Sequence, residues 1–291
     1  MMRSTSEILK KVRELEIRSK KLARDLFSGE YHSAFKGKGM SFKEVREYAP
    51  GDDVRFIDWN VSARFGHPFS KVFEEERELT VMLLVDLSNS SLFGTHYGSK
   101  RDVATEIAAV LAFSAVSNGD KVGAVFYSDR VEKYIPPKKG RQHALYIVRE
   151  VLALESKGRG THLGAALKYF TNAIKQSSIA FVLGDFIDRG YEDALRVAGK
   201  KHDLIGIKIY DQMDKELPNA GLIQMLDAET GAAQWIDTSN AYVRRKYEEN
   251  FFAATDYCVN VFKKAGCDLL HIQTGDDYVT VLQRFFRSRI R

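Results

Sequence analysis

The sequence predicts an α/β protein built on a doubly wound, mostly parallel sheet, with a small cover segment on its N-terminal side. Three observations predict it. Residues 81–85, Val-Met-Leu-Leu-Val, are an unbroken apolar run, as a central strand buried on both faces should be. Downstream of it, short apolar runs alternate with longer segments whose apolar residues recur every three or four positions, the texture of βα units. Upstream of it, residues 28–79 carry Gly29, Gly37, Gly39 and Gly51, and large aromatics stand among charges of both signs.

The elements follow in order. Residues 6–27 read as a helix, because Ile8, Val12, Leu15, Leu22 and Leu26 share one face. Ser28-Gly29 is its expected stop. The cover comes next, with a turn at Pro50-Gly51. After the strand at 81–85, a helix is expected over 103–116, ended by Asn118-Gly119. Strands follow at 121–127 and 130–135, the second stopped by Pro136-Pro137. Helices are expected near 141–154 and 163–176, a strand at 179–183, a helix near 190–200 and a strand at 204–209. Residues 222–227 and 233–236 suit a hairpin turning through Glu229-Thr230-Gly231. A long helix over 240–265, a strand at 268–272 and a closing helix over 276–289 complete the chain. The expected division is residues 1–78, the N-terminal helix and cover, and residues 79–291, one large domain.

Composition narrows the function. With 44 Lys plus Arg against 39 Asp plus Glu, the net charge of +5 is too small to argue for nucleic acid. The most apolar helical stretch, 107–116, is about half the ~20 residues that cross a bilayer, so no integral membrane segment is expected. The start Met1-Met2-Arg3-Ser4-Thr5-Ser6-Glu7 has neither an apolar core nor a cleavage site, so a secretory leader is not expected. Cys258 and Cys267 form neither a CxxC pair nor a zinc knuckle, which fits a reducing cytoplasm. No HExxH or HxH pair supports zinc.

Open α/β sheets bind ligands beyond the carboxyl ends of their strands. There the sequence places Asp86, Ser88 and Ser90 at alternate positions, Thr161 in a Gly-flanked loop, and Asp185 after the strand at 179–183. If the strands carrying the two acids are neighbours, two carboxylates and three hydroxyls converge. Such hard oxygen donors suit Mg²⁺ or Mn²⁺. Because only two of the five are anionic, a bound metal would stay electrophilic, and a carboxylate from a partner would complete its shell.

Asp86-x-Ser88-x-Ser90, Thr161 and Asp185 resemble the metal-ion-dependent adhesion site of von Willebrand factor A domains, over about residues 79–291. Residues 42–64, with Arg46-Glu47-Tyr48, Pro50-Gly51-Asp52-Asp53, Arg55, Asp58-Trp59 and Ala63-Arg64, are similar to the hallmark of the bacterial domain-of-unknown-function-58 family. The resemblance implies an A-type domain of Rossmann-type topology behind the cover. It also implies a non-enzymatic protein-binding role beside a MoxR-type AAA+ ATPase or its client in the assembly or maturation of other proteins. Two positions depart from the pattern: Ser91 stands where Met is frequent and Gly184 where Ser is frequent. Neither change removes a ligand. In the upstream motif Asp52, Asp53 and Asp58 have Arg46, Arg55 and Arg64 at hand, so the expectation there is a salt-bridged cover anchored by Trp59.

Two other readings compete. A metal-dependent phosphohydrolase would want a second acid two residues after Asp86, where Ser88 stands. There is no GxSxG elbow, and residues 94–101 lack the spacing of a phosphate loop. A nucleic-acid binder would use the basic, aromatic tail at 284–291. Leu282, Phe285 and Phe286 there are better read as the inward face of a terminal helix, whose C-terminus favours cations.

Overall fold

A computed structural model describes residues 10, 13–16, 41–74, 79–158, 160–227 and 231–289. These fall into two compact units, a small one within residues 36–78 and a large one that takes in the rest.

In the small unit, β1 (Ser41–Glu47) pairs antiparallel with β2 (Phe69–Glu74). A 3-10 turn at Val54–Phe56 and the helix α1 (Trp59–Phe65) connect them. Asp58 caps α1 by accepting from the Asn60 and Val61 amides at 3.0 and 3.2 Å, and Gly66, at φ 76°, closes it. The acids pair locally: Asp52 with Arg46 at 2.8 Å and Asp53 with Arg55 at 2.6 Å. Asp58 pairs with Lys71 at 3.4 Å, a residue the sequence did not single out. The inward face of α1 carries the half-buried Val61 and Ser62, and Trp59, at the first helical position, falls off that face and is 71% exposed.

The large unit begins with β3 (Thr80–Asp86), the apolar run. There follow α2 (Lys100–Ser117), β4 (Lys121–Tyr127), β5 (Val131–Lys138), α3 (Arg141–Ala153), α4 (Leu163–Ala173) and β6 (Ile179–Gly184). Then come α5 (Glu192–Lys201), β7 (Asp203–Tyr210), the single turn α6 (Gln212–Lys215) and the hairpin β8 (Leu222–Leu226) and β9 (Ala233–Asp237). The long helix α7 (Ala241–Ala265), β10 (Asp268–Gln273) and α8 (Tyr278–Arg289) end it.

Six strands form one sheet in the order β10-β7-β6-β3-β4-β5, and only β4 and β5 run antiparallel. The pleat divides the core in two. Val81, Leu83 and Val85 join Ile107 and Leu111 of α2, Ile147 of α3 and Leu282 of α8. Met82 and Leu84 join Leu167 and Phe170 of α4, Leu195 of α5 and Phe262 of α7 on the other face. This is the doubly wound, mostly parallel α/β sheet expected. The chain works outward from β3 to β4 and β5, then returns to the opposite edge of β3 with β6. The switch point therefore lies between β3 and β6.

One strand departs from expectation. β5 continues through Pro136-Pro137 to Lys138. It lies at the sheet edge, where a missing N–H costs no ladder bond. The register jumps from Ala124↔Ile135 to Val122↔Lys138, so the prolines form a bulge opposite Gly123.

Of the helix expected over 6–27, residues 13–16 are helical, and the rest lies outside the described residues apart from residue 10, which is also helical. Leu15 is buried in the core that holds α2 and α8, and Glu16 pairs with Arg141. At the other end Leu282, Phe285 and Phe286 are buried, and Arg289 pairs with Asp203 at 2.6 Å and Asp268 at 3.1 Å. Among the described residues no helix is long and apolar enough to cross a membrane.

Candidate metal centre

β3 and β6 pair in parallel register with Val85 opposite Leu183. Asp86 and Asp185 therefore leave the sheet together at the switch point. Asp86 is the last residue of β3, and its carboxylate accepts the Ser88 N–H at 2.7 Å. That local bond turns the chain into a 3-10 segment at Asn89–Leu92. The turn brings the Ser88 and Ser90 hydroxyls within 3.0 Å of each other. A hydrogen bond from Ser90 helps hold the Asp185 carboxyl ionised. Four of the five expected residues, Asp86, Ser88, Ser90 and Asp185, are thus linked.

Thr161 is placed differently. It is half-buried in the loop before α4. His162 donates its N–H to the Ser128 carbonyl at 2.8 Å, just beyond β4, and Leu163 donates to Asp188 at 2.9 Å, just beyond β6. The loop is therefore tied to the same carboxyl edge of the sheet. Among the described residues no hydrogen bond joins Thr161 to the other four.

The electrostatics separate the two acids. Burial, reinforced by the charge of Asp185, pushes the Asp86 carboxyl well above the usual carboxylate range. Burial pushes Asp185 the same way, but Lys100, Ser90 and Lys208 together outweigh it and hold Asp185 below that range. Lys100 Nζ is 3.1 Å from Asp185 Oδ2, and the Lys208 ammonium donates to the Asp185 backbone carbonyl. Among the described residues no cation makes an ion pair with Asp86.

The donors fit a hard divalent cation. They are all oxygens, and Asp86 is a buried carboxyl with no ion-pair partner among the described residues, the charge of Lys100 reaching it only from beyond contact distance. Among the described residues no group of three or more His, Cys, Asp or Glu side chains is arranged to hold a metal, so hydroxyl oxygens would have to supply part of the shell.

Several neighbours other than Ser91 were not among the residues singled out from the sequence. Arg101 donates to the Leu87 carbonyl, to the Ser88 carbonyl at 3.4 Å and to the Ser91 hydroxyl at 3.1 Å, which pins the loop after β3. Ser91 in turn donates to the Ser88 carbonyl at 2.7 Å. Phe186, buried at φ 53° against Phe262 at 5.2 Å, sets the turn after Asp185. A non-glycine residue in that region is uncommon and marks a conformation imposed by its surroundings. One signal for the cations was present. Lys100 and Arg101 open α2, where the helix dipole disfavours positive charge, so they need anionic or carbonyl partners nearby.

The family described as "Protein of unknown function DUF58" matches residues 44–256. The uncharacterized protein Mb1516 of Mycobacterium bovis is 29% identical over 283 residues, covering 96% of this chain and 89% of its own length. Among solved structures, BatB from Bacteroides thetaiotaomicron is 15% identical with a TM-score of 0.47, covering 73% of this chain and 98% of that one. An aerotolerance-related membrane protein from Bacteroides fragilis is 14% identical with a TM-score of 0.49 and the same coverage. The fold, with Asp86 and Asp185 at the switch point of a six-stranded sheet, is von Willebrand factor A-like, and the chain belongs to the DUF58 family.

Proposed function

We propose that this chain is a non-enzymatic protein-binding module whose metal site engages an acidic residue of a protein partner. Asp86, Ser88, Ser90, Thr161 and Asp185 would hold Mg²⁺ or Mn²⁺, with Thr161 closing the shell from its loop. The observation that carries the reading is the convergence of Asp86, Ser88, Ser90 and Asp185 at the switch point, with Asp86 buried and lacking an ion-pair partner. A metal there would add positive charge in direct contact, which Lys100 gives Asp86 only from farther away. Since only two donors are anionic, it keeps an affinity for an incoming carboxylate. The family resemblance makes a MoxR-type AAA+ ATPase, or its client, the first partner to test, in the assembly or maturation of other proteins in the cytoplasm.

The experiment is a pull-down of a MoxR-type ATPase from the same cell in Mg²⁺ and in EDTA. Retention in Mg²⁺, loss in EDTA and loss with Asp86→Ala are expected. Equal retention by Asp86→Ala in Mg²⁺ would sink the reading.

A further inference from the structure

We infer that Lys100 is a built-in counter-charge that sets how tightly the site holds its metal, by dividing its charge between Asp185 and Asp214. The inference rests on the metal reading above and adds its control.

Lys100 is the first residue of α2 and is 4% exposed. Burial and the helix dipole both oppose a cation there, so its place must be stabilised by anions. Two supply it: Asp185 Oδ2 and Asp214 Oδ2, each 3.1 Å from Nζ. Asp214 is itself held, because the same oxygen accepts the Asp211 N–H at 2.8 Å. Asp211 is fully buried and fixed by the Thr95 and Thr274 hydroxyls at 3.0 and 2.6 Å. Lys100 therefore lies between two anchored carboxylates, one belonging to the metal site and one outside it. Lys208, the other buried lysine among the described residues, bonds the Asp185 backbone carbonyl and not this pair.

This arrangement makes a prediction of sign. Lys100 offsets part of the Asp185 negative charge that would attract a metal, and Asp214 in turn offsets part of the lysine's charge. Removing the lysine should strengthen metal binding, and removing Asp214 should weaken it by turning the whole lysine charge onto Asp185. A purely structural role for Lys100 would not give opposite signs.

The test is Mn²⁺ titration of the full chain, followed by electron paramagnetic resonance, with circular dichroism to check folding. Lys100→Met should tighten binding by about tenfold, Asp214→Asn should weaken it by about tenfold, and Asp86→Ala should abolish it. Wild-type binding lost in Asp86→Ala, together with shifts of the same sign or none in the other two variants, overturns the role of Lys100 and leaves the metal site standing. Should Lys100→Met fail to fold, Asp214→Asn decides alone, and unchanged or tighter binding overturns the role. Absence of wild-type binding, or equal binding by Asp86→Ala, brings down the metal reading and the counter-charge with it.

Discussion

A Cβ placed on Gly184 would stand 3.2 Å from Asp86 Cβ and 3.2 Å from the Tyr127 hydroxyl. A methyl group there fits only if Asp86 or Tyr127 gives by a few tenths of an ångström, and a branched side chain would have to displace Asp86. Gly184→Val should destabilise the fold by about 1–3 kcal/mol through overpacking. Gly184→Ala should cost less, since its contacts are tight rather than overlapping. Urea denaturation of the two variants checks the order, and a Gly184→Val protein as stable as wild type would contradict it.

The bulge in β5 makes the same kind of demand on Gly123. A Cβ there would meet the Ile135 carbonyl oxygen at 2.8 Å and the Pro137 nitrogen at 2.9 Å, both backbone atoms that cannot swing aside. Gly123→Ala should therefore cost about 2 kcal/mol, read as a lower denaturation midpoint with an unchanged slope.

Arg101 is predicted to act on the loop after β3. Its guanidinium serves the Leu87 and Ser88 carbonyls and the Ser91 hydroxyl. Arg101→Met would leave those acceptors short of a donor, at about 1–3 kcal/mol. It should also raise amide hydrogen exchange in residues 87–92. Exchange unchanged there would show that the local bonds of Asp86 and Ser91 hold the loop unaided.

Much of this was legible in the sequence, for reasons that differ by residue. The run at 81–85 marks a strand covered on both faces, and the alternation after it fixes the topology because parallel strands need crossovers. Asp86, Ser88 and Ser90 were legible because their spacing is local. Asp185 was legible because it follows a strand. The pairing of Lys100 with Asp214 was not, because it spans more than a hundred residues and depends on α2 and α6 meeting at one edge. The course of β5 through its prolines was misread because a proline stops a central strand but not an edge strand.

His202 should make stability fall in mild acid. It is buried at the end of α5, bonded to the Ser178 hydroxyl at 2.9 Å and tilted against Phe170 with ring centroids 4.3 Å apart, and its Nε2 has no partner among the described residues. Burial, with a smaller push from Lys201, lowers its pKa from 6.5 to about 4. The folded state thus refuses a proton that the unfolded chain accepts near pH 6.5. Its contribution is complete above that pH and is lost as the pH falls towards 4, amounting to about 3 kcal/mol at most. His202→Leu should flatten the stability profile between pH 6.5 and 4, and a profile as steep as wild type would exclude His202 as its source.

Asp86 should trade stability for metal binding. Burial and the charge of Asp185 raise its pKa, so the folded state takes up a proton more readily than the unfolded chain does. Ionising Asp86 at neutral pH therefore works against folding, the reverse of a salt-bridged carboxylate. Asp86→Asn removes that charge while keeping an oxygen to accept the Ser88 N–H. In EDTA the variant should melt above wild type. Mg²⁺ should then raise the wild-type melting temperature, by about 2.7 kcal/mol of stabilisation when free metal is a hundredfold above its dissociation constant, and leave Asp86→Asn where it was. Thermal melts of both proteins in EDTA and in Mg²⁺ give all four values. If Asp86→Asn is the less stable in EDTA, Asp86 is a structural hydrogen-bond acceptor, and its burial does not reflect a place kept for a cation.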